Sequence, residues 1–416
     1  MLINPLKVKA KETENNIEVN KDKVISNIIS YLIKNYSEYL SDIDMNKELV
    51  ESIVCEKVYK EYSNMNTETT ITAILDRLFG YHILQKYIDD ETVSDIRVTR
   101  FDSIFVKRNG KWEQAVEKFE NENEYIDFVR YCVLKNRGKI SNETPIVIVS
   151  DRKNNLRIEA GIEPVNVTSP NLVIRIHRPN GMQALEDLLM TSAEMINVDI
   201  YKFLSEAIIA GCNIVISGKG GSGKTTLMRT LINKIPEDLS ITANEETAEL
   251  YSTHPNLIQR EILSNRVGDK NITLEKLTAH SLVMSNDVIV IGELKGAEAM
   301  SFFDAVSTGH RGYATVHADS SESTLDRLVT LMKRDSKAQM YSNDYLTKLL
   351  SMSLDLIVYM NNFKVQEIAE VVYNKEDEKI EYNPLYEFEV EKIENGKSIG
   401  SIKGKNEIDY EKILSE

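Results

Sequence analysis

The 416-residue sequence predicts an α/β fold: a parallel sheet flanked by helices, preceded by a smaller α+β domain and a helical N-terminal arm. Three observations predict it. From about residue 184 short apolar runs alternate with helical segments, the pattern of strand–helix–strand crossovers. From about 71 to 180 short alternating strands surround a single helical stretch. Up to about residue 70 the chain is polar, and its apolar residues recur at helical spacing. The expected domains are therefore 1–70, 71–180 and 181–416.

In the arm, Val24, Ile28, Ile29, Leu32 and Ile33 recur at the spacing of a helix face. The extreme N-terminus is expected to be mobile. In the second segment, "VSDIRVTRFDSIFVKRNGKWEQ" alternates as strands about an Asn109-Gly110 hairpin turn. A helix is expected around Tyr125–Leu134, followed by the extended runs "IVIVSDRKNNLRIEAGI" and "NLVIRIHRP". Pro179, Asn180 and Gly181 mark a linker. Beyond it, strands are expected at 213–217, 239–244, 287–293 and 312–318, with "KTTLMRTLINKI" and "EAMSFFDAVS" as helices between them. A helix near 344–353, the strands "LDLIVYM" and "VQEIAEVVY", and a charged tail complete the chain.

Composition bounds the function. Hydrophobic residues at 42% and charged residues at 28% are those of a soluble globular protein with a sizeable core. A net charge of −15 and no long Lys/Arg run argue against nucleic acid as the main partner. Cys55, Cys132 and Cys212 lie far apart with no Cys-x-x-Cys pair, which fits a reducing compartment. No apolar run approaches the ~18–20 residues of a membrane span, and the N-terminus has no secretory signal pattern. A cytoplasmic protein is expected, free to dock on a membrane protein.

The strongest local signal is "ISGKGGSGKTTL". It matches the phosphate-loop pattern G-x-x-x-x-G-K-[ST] at Gly218, Gly223, Lys224 and Thr225, between an expected strand and an expected helix. Gly218, Lys219, Gly220, Gly221, Ser222 and Gly223 let backbone N–H groups converge on phosphate oxygens, and the helix N-terminus that begins with Lys224, Thr225 and Thr226 adds positive potential. Lys224 would reach the β- and γ-phosphates of ATP, and the Thr225 hydroxyl would bind Mg²⁺. The strand "DVIVIGE" ends in Glu293, on the carboxyl edge where ligands of parallel sheets gather. Glu293 can there hold a water of the Mg²⁺ shell. Glu245, Glu246 and Glu249 cluster after another strand. Glu249 is the candidate to orient or deprotonate the attacking water; a solvated helix start with N-terminal acids is the alternative.

Two of the six histidines stand in "STGHRGYATVHA". Two local histidines without a third ligand do not make a metal site. His310 follows Gly309, which is placed to cap a helix. His317 shares a strand face with Tyr313 and Thr315 and ends on the phosphate-loop edge, where an imidazole can hydrogen-bond a γ-phosphate.

These elements in this order resemble the secretion ATPase superfamily of type II and type IV secretion systems and type IV pili, and most of all the CpaF-type tight-adherence pilus ATPases. The resemblance runs from about residue 71 onward and includes "LVIRIHRP" and "FFDAVSTGHRGYATVHADSSESTLDRLVTLM". It implies a RecA-like P-loop ATPase domain, a homohexameric ring, nucleotide bound between the two domains, and an inner-membrane platform protein as partner at the cytoplasmic face. It assigns Glu249 as general base, Glu293 as Walker B acid, His317 as γ-phosphate sensor, and Arg175 or Arg178 as linker arginines on the nucleotide. The sequence departs from the family in having Lys295 where Arg is usual, and Val283 and Ser285 where two arginines stand. Glu246 replaces an Asp, and Asn154-Asn155 a turn of Asp-Gly. Arginine and lysine differ in bidentate pairing. Two other readings follow: a nucleotide-binding assembly subunit with little turnover, or a conjugative or effector-secreting ATPase. Arg260 and the linker arginines are candidates to replace the missing charges.

Overall fold

The computed structural model describes residues 21–41, 43, 45–62, 66–178, 184–190, 194–262, 272–374, 379–394 and 397–406. The linker tripeptide 179–181, the first twenty residues and the end of the charged tail lie outside these. The chain divides into two compact units, Met1–Ile176 and His177–Glu416.

The first unit opens with α1 (Lys21–Asn35), α2 (Ser37–Leu40), α3 (Lys47–Glu61), α4 (Thr67–Phe79) and α5 (Gln85–Asp89). Asn66 caps α4 by accepting the Thr69 N–H. Val24, Ile28 and Leu32 of α1 are buried with Val50, Val54 and Val58 of α3 and Ile74 and Leu78 of α4. Tyr131, from a helix well along the chain, belongs to the same cluster. A boundary at residue 70 therefore falls inside α4, and the arm shares its core with the domain after it. Helical periodicity marks a face as apolar but not what covers it.

The domain proper has β1 (Val93–Arg100), β2 (Ser103–Arg108), β3 (Lys111–Gln114), α6 (Glu122–Lys135), β4 (Ile146–Asp151), β5 (Leu156–Gly161) and β6 (Asn171–Ile176). Its sheet runs β3-β2-β1-β6-β5-β4, and every pair is antiparallel. Asn109 and Gly110 join β2 to β3 at φ 48° and 79°, the left-handed pair a two-residue hairpin requires. Val129, Cys132 and Val133 of α6 pack on Ile96, Ile158 and Ile174 of the sheet.

The second unit contains α7 (Val198–Ala210), β7 (Ile214–Gly218), α8 (Lys224–Ile232), β8 (Ile241–Glu245), β9 (Leu257–Glu261) and α9 (Leu274–Ser281). Then follow β10 (Val288–Leu294), α10 (Glu298–Ser307), β11 (Arg311–Val316), α11 (Ser321–Met332), α12 (Asn343–Ser353), β12 (Leu356–Asn361), β13 (Lys364–Asn374), β14 (Lys379–Glu394) and β15 (Lys397–Gly404). The sheet order is β15-β14-β13-β12-β7-β11-β10-β8-β9. The six strands from β12 to β9 are parallel, and β13, β14 and β15 add antiparallel beyond β12. The sheet is thus mixed rather than purely parallel, because short hairpins after β12 leave no room for crossover helices. Alternation divides the core. Ile214 and Ile216 face a layer with Leu227 and Met228 of α8 and Phe203 and Leu204 of α7. Val215 faces the other layer, with Phe302 and Phe303 of α10, Leu328 of α11 and Leu350 of α12. Each such fully buried side chain contributes about 1.5–3 kcal/mol.

Candidate functional site

Asn213 sets the strand that carries the phosphate loop. Its N–H donates to Asp355 Oδ2 at 2.6 Å, and its Oδ1 accepts from the Gly312 N–H at 2.8 Å, so β12 and β11 are pinned on either side of β7. β7 ends in Gly218 at φ 145°, where a Cβ would collide with the Met360 carbonyl. Gly221 and Gly223 follow at φ 72° and 97°, which only glycine adopts freely. Gly223 is the N-cap of α8, so Lys224, Thr225 and Thr226 form its first turn. Lys224 is 7% exposed and donates to the Gly218 and Lys219 carbonyls at 2.8 and 2.9 Å. Burial holds its pKa below the ordinary lysine value, against an opposing pull from Glu293. Among the described residues the buried hydroxyls of Ser217 and Ser222 have no hydrogen-bond partner. A loop with two orphaned hydroxyls, a cation and a helix N-terminus fits a phosphate chain.

Glu293 is aimed by an irregularity. The β10–β11 register shifts between Ile291 and Leu294, and the Thr315 hydroxyl donates to the Gly292 carbonyl at 2.6 Å. Bulges of this kind redirect a side chain at a strand end. His317 lies one residue past β11 rather than within it. Its Nε2 stands 2.8 Å from Glu293 Oε1, off the line of a hydrogen bond, so that buried oxygen keeps acceptor capacity. An acceptor so placed suits a water of a Mg²⁺ shell. His317 also borders the loop, since a Cβ on Gly220 would stand 3.5 Å from its Cε1. Burial first, then Lys224, lowers the His317 pKa, while Glu293 opposes them.

The acids after β8 separate into three roles. Glu245 is buried, accepts the Glu249 and Leu250 N–H groups at 2.9 and 3.1 Å, and bonds Gln259. It packs on Gly292, where a Cβ would come within 2.9 Å of its Cγ. Glu246 receives Lys295 Nζ at 2.6 Å, and the same ammonium lies 3.2 Å from Glu293. Burial would lower the Lys295 pKa, but the two carboxylates outweigh it and hold it raised. Glu249 stands 3.6 Å from His177 Nε2 and is not part of that chain. The structure therefore joins Lys224, Glu293, His317, Lys295 and Glu246 at one end of the sheet. Sequence reading did not find Lys295 as a bridge or Glu245 as a buried brace.

Arg175 belongs to the first unit, exposed on β6, with Nε 3.3 Å from Asp95. Arg178 follows His177, the first residue of the second unit. Arg260, a candidate to replace a missing charge, bonds Asn244 Oδ1, the Leu277 carbonyl and Ser281 Oγ, and so fastens α9 to β8 and β9. His310 closes the end of α10, its N–H and Nδ1 both facing the Ala305 carbonyl, after Gly309 at φ 103°.

The type II/IV secretion system protein family matches residues 80–361, more than half of the chain. The chain belongs to that family. It is 26% identical over 344 residues to the type IV secretion system protein VirB11 of Bartonella henselae, covering 73% of this chain and 95% of that protein. It is 28% identical over 251 residues to a putative conjugal transfer protein of Mycobacterium tuberculosis, covering 58% of this chain and 70% of that one. The crystal structure of the pilus retraction motor PilT with bound ADP covers 80% of this chain and 85% of its own, at 16% identity and a TM-score of 0.51. That likeness is one of fold: a RecA-like phosphate-loop domain preceded by an α+β domain.

Proposed function

We propose that this chain is an ATP-hydrolysing motor subunit of a type II/IV secretion or pilus-assembly machine, acting with Mg²⁺ as a homohexameric ring. The observation that carries the reading is the meeting of Lys224, Glu293 and His317 at one sheet end, with Glu293 Oε1 still open as an acceptor. In this reading the backbone from Gly218 to Gly223 cradles the phosphates, and Lys224 neutralises charge developing on them. Thr225 and Glu293 would hold the Mg²⁺, Glu293 through water, and the ion would supply charge neutralisation between the phosphates. Glu249 orients the attacking water, His317 faces the γ-phosphate, and Arg175 and Arg178 are further nucleotide contacts. The ring works at the cytoplasmic face of a membrane on a platform protein of a pilus or secretion system. Support for that setting is the family and the VirB11 and conjugal-transfer relatives.

Purified full-length chain with Mg²⁺ and ATP is expected to release phosphate, and Lys224→Ala to reduce the rate at least a hundredfold. Sedimentation of the same sample should give a six-subunit mass. A wild-type rate equal to that of Lys224→Ala, with ATP still bound, favours the low-turnover assembly subunit instead.

A further inference from the structure

β12 and β13 are joined by Asn362 and Phe363, at φ 49° and 60°. Both positions of such a two-residue hairpin need left-handed backbone, and Asn-Gly provides it at least strain. Here the second position is a phenylalanine, and a bulky side chain with positive φ is an outlier that local preference does not explain. The ring is half-exposed, at 50%. It stands against the phosphate loop: a Cβ on Gly223 would lie 3.3 Å from Phe363 Cδ1, 3.3 Å from Met360 Cε and 3.1 Å from Met195 Cε. Met195 and Met360, which converge on the same point, are buried. The Val365 N–H donates to the Met195 carbonyl at 3.0 Å, which ties Met195 to β13.

Sheet order gives the ring a meaning. β7 lies between β11 and β12. Glu293 and His317, which face the terminal phosphate in the proposed reaction, come from β10 and just past β11, on one side of β7. A phosphate chain lying along the loop with its γ end on that side sends its nucleoside towards β12. What waits there is the half-exposed Phe363 ring, beside two buried methionines.

We propose that Phe363 is the platform on which the base of the bound nucleotide stacks, so that this chain recognises a nucleoside triphosphate rather than a bare polyphosphate. The inference rests on the nucleotide reading of the phosphate loop. Stacking is tolerant of base identity and strongest for the larger purine face.

The test uses the full-length protein and two probes, ATP and inorganic tripolyphosphate, titrated by calorimetry. Phe363→Gly is expected to fold, since glycine suits the left-handed turn. It should weaken ATP about tenfold and leave tripolyphosphate unchanged. Phe363→Tyr, which keeps a ring, should restore ATP affinity. Equal loss for both probes, or unchanged ATP binding in Phe363→Gly, overturns the platform. A wild-type chain that binds neither probe overturns the phosphate-loop reading, and this inference with it.

Discussion

Lys295 carries two carboxylates at once, Glu246 just past β8 and Glu293 near the end of β10. Arginine would grip one carboxylate with two parallel bonds, whereas an ammonium divides its donors between two. The lysine therefore acts by holding two strand ends at a fixed spacing. Lys295→Met should lower kcat for ATP about tenfold or more with KM little changed, and Lys295→Arg should recover part of it; steady-state kinetics with a wild-type kcat in Lys295→Met would remove the role. Glu245 makes a second residue-scale case. Burial pushes its carboxyl up to about 7, against the donors Gln259, Glu249 and Leu250. A raised carboxyl pKa means that the folded chain holds a proton the unfolded chain has already released. Its contribution is full at acid pH and is lost as pH rises from about 4.5 towards 7. Glu245→Gln should flatten that dependence and be more stable than wild type at pH 8, by an amount on the order of 1–3 kcal/mol, and not at pH 5. Denaturant melts at the two pH values measure it, and parallel wild-type and mutant profiles would refute it.

At the scale of elements, the helical arm is part of the first unit's core, and Ser30 Oγ bonds Asp127 on α6 at 2.6 Å. Cutting the chain at residue 70 would split α4 and uncover Tyr131. Such a truncation is expected to lower the melting temperature by several degrees or to give insoluble protein. A melt equal to that of the untruncated chain would show that the arm is dispensable. The same scale shows what the sequence could tell. β7, β8, β10 and β11 were legible within a residue or two, because buried parallel strands read as continuous apolar runs. That placed Glu293 and the phosphate loop on one edge. β9 was not legible, since "LIQRE" is only partly buried and shows no clean alternation. Nor was the division of labour among Glu245, Glu246 and Glu249. It depends on Gly292 and Lys295, tens of residues away, and three neighbouring acids look alike until those contacts exist.

At the scale of the whole molecule, the chain combines a net charge of −15 with membership of the type II/IV secretion system protein family. Among the described residues no helix is long and apolar enough to cross a membrane. One feature of the sheet bears on how such a chain is made. The loop-bearing strand β7 is bracketed by β11 and β12, and Asn213 is tied to Asp355 across 142 positions of sequence. A chain growing on the ribosome thus displays its glycine-rich loop long before either bracket exists. The first strand of this sheet to be made therefore gains its flanking strands only when β11 and β12, both from the last third of the chain, have been synthesised.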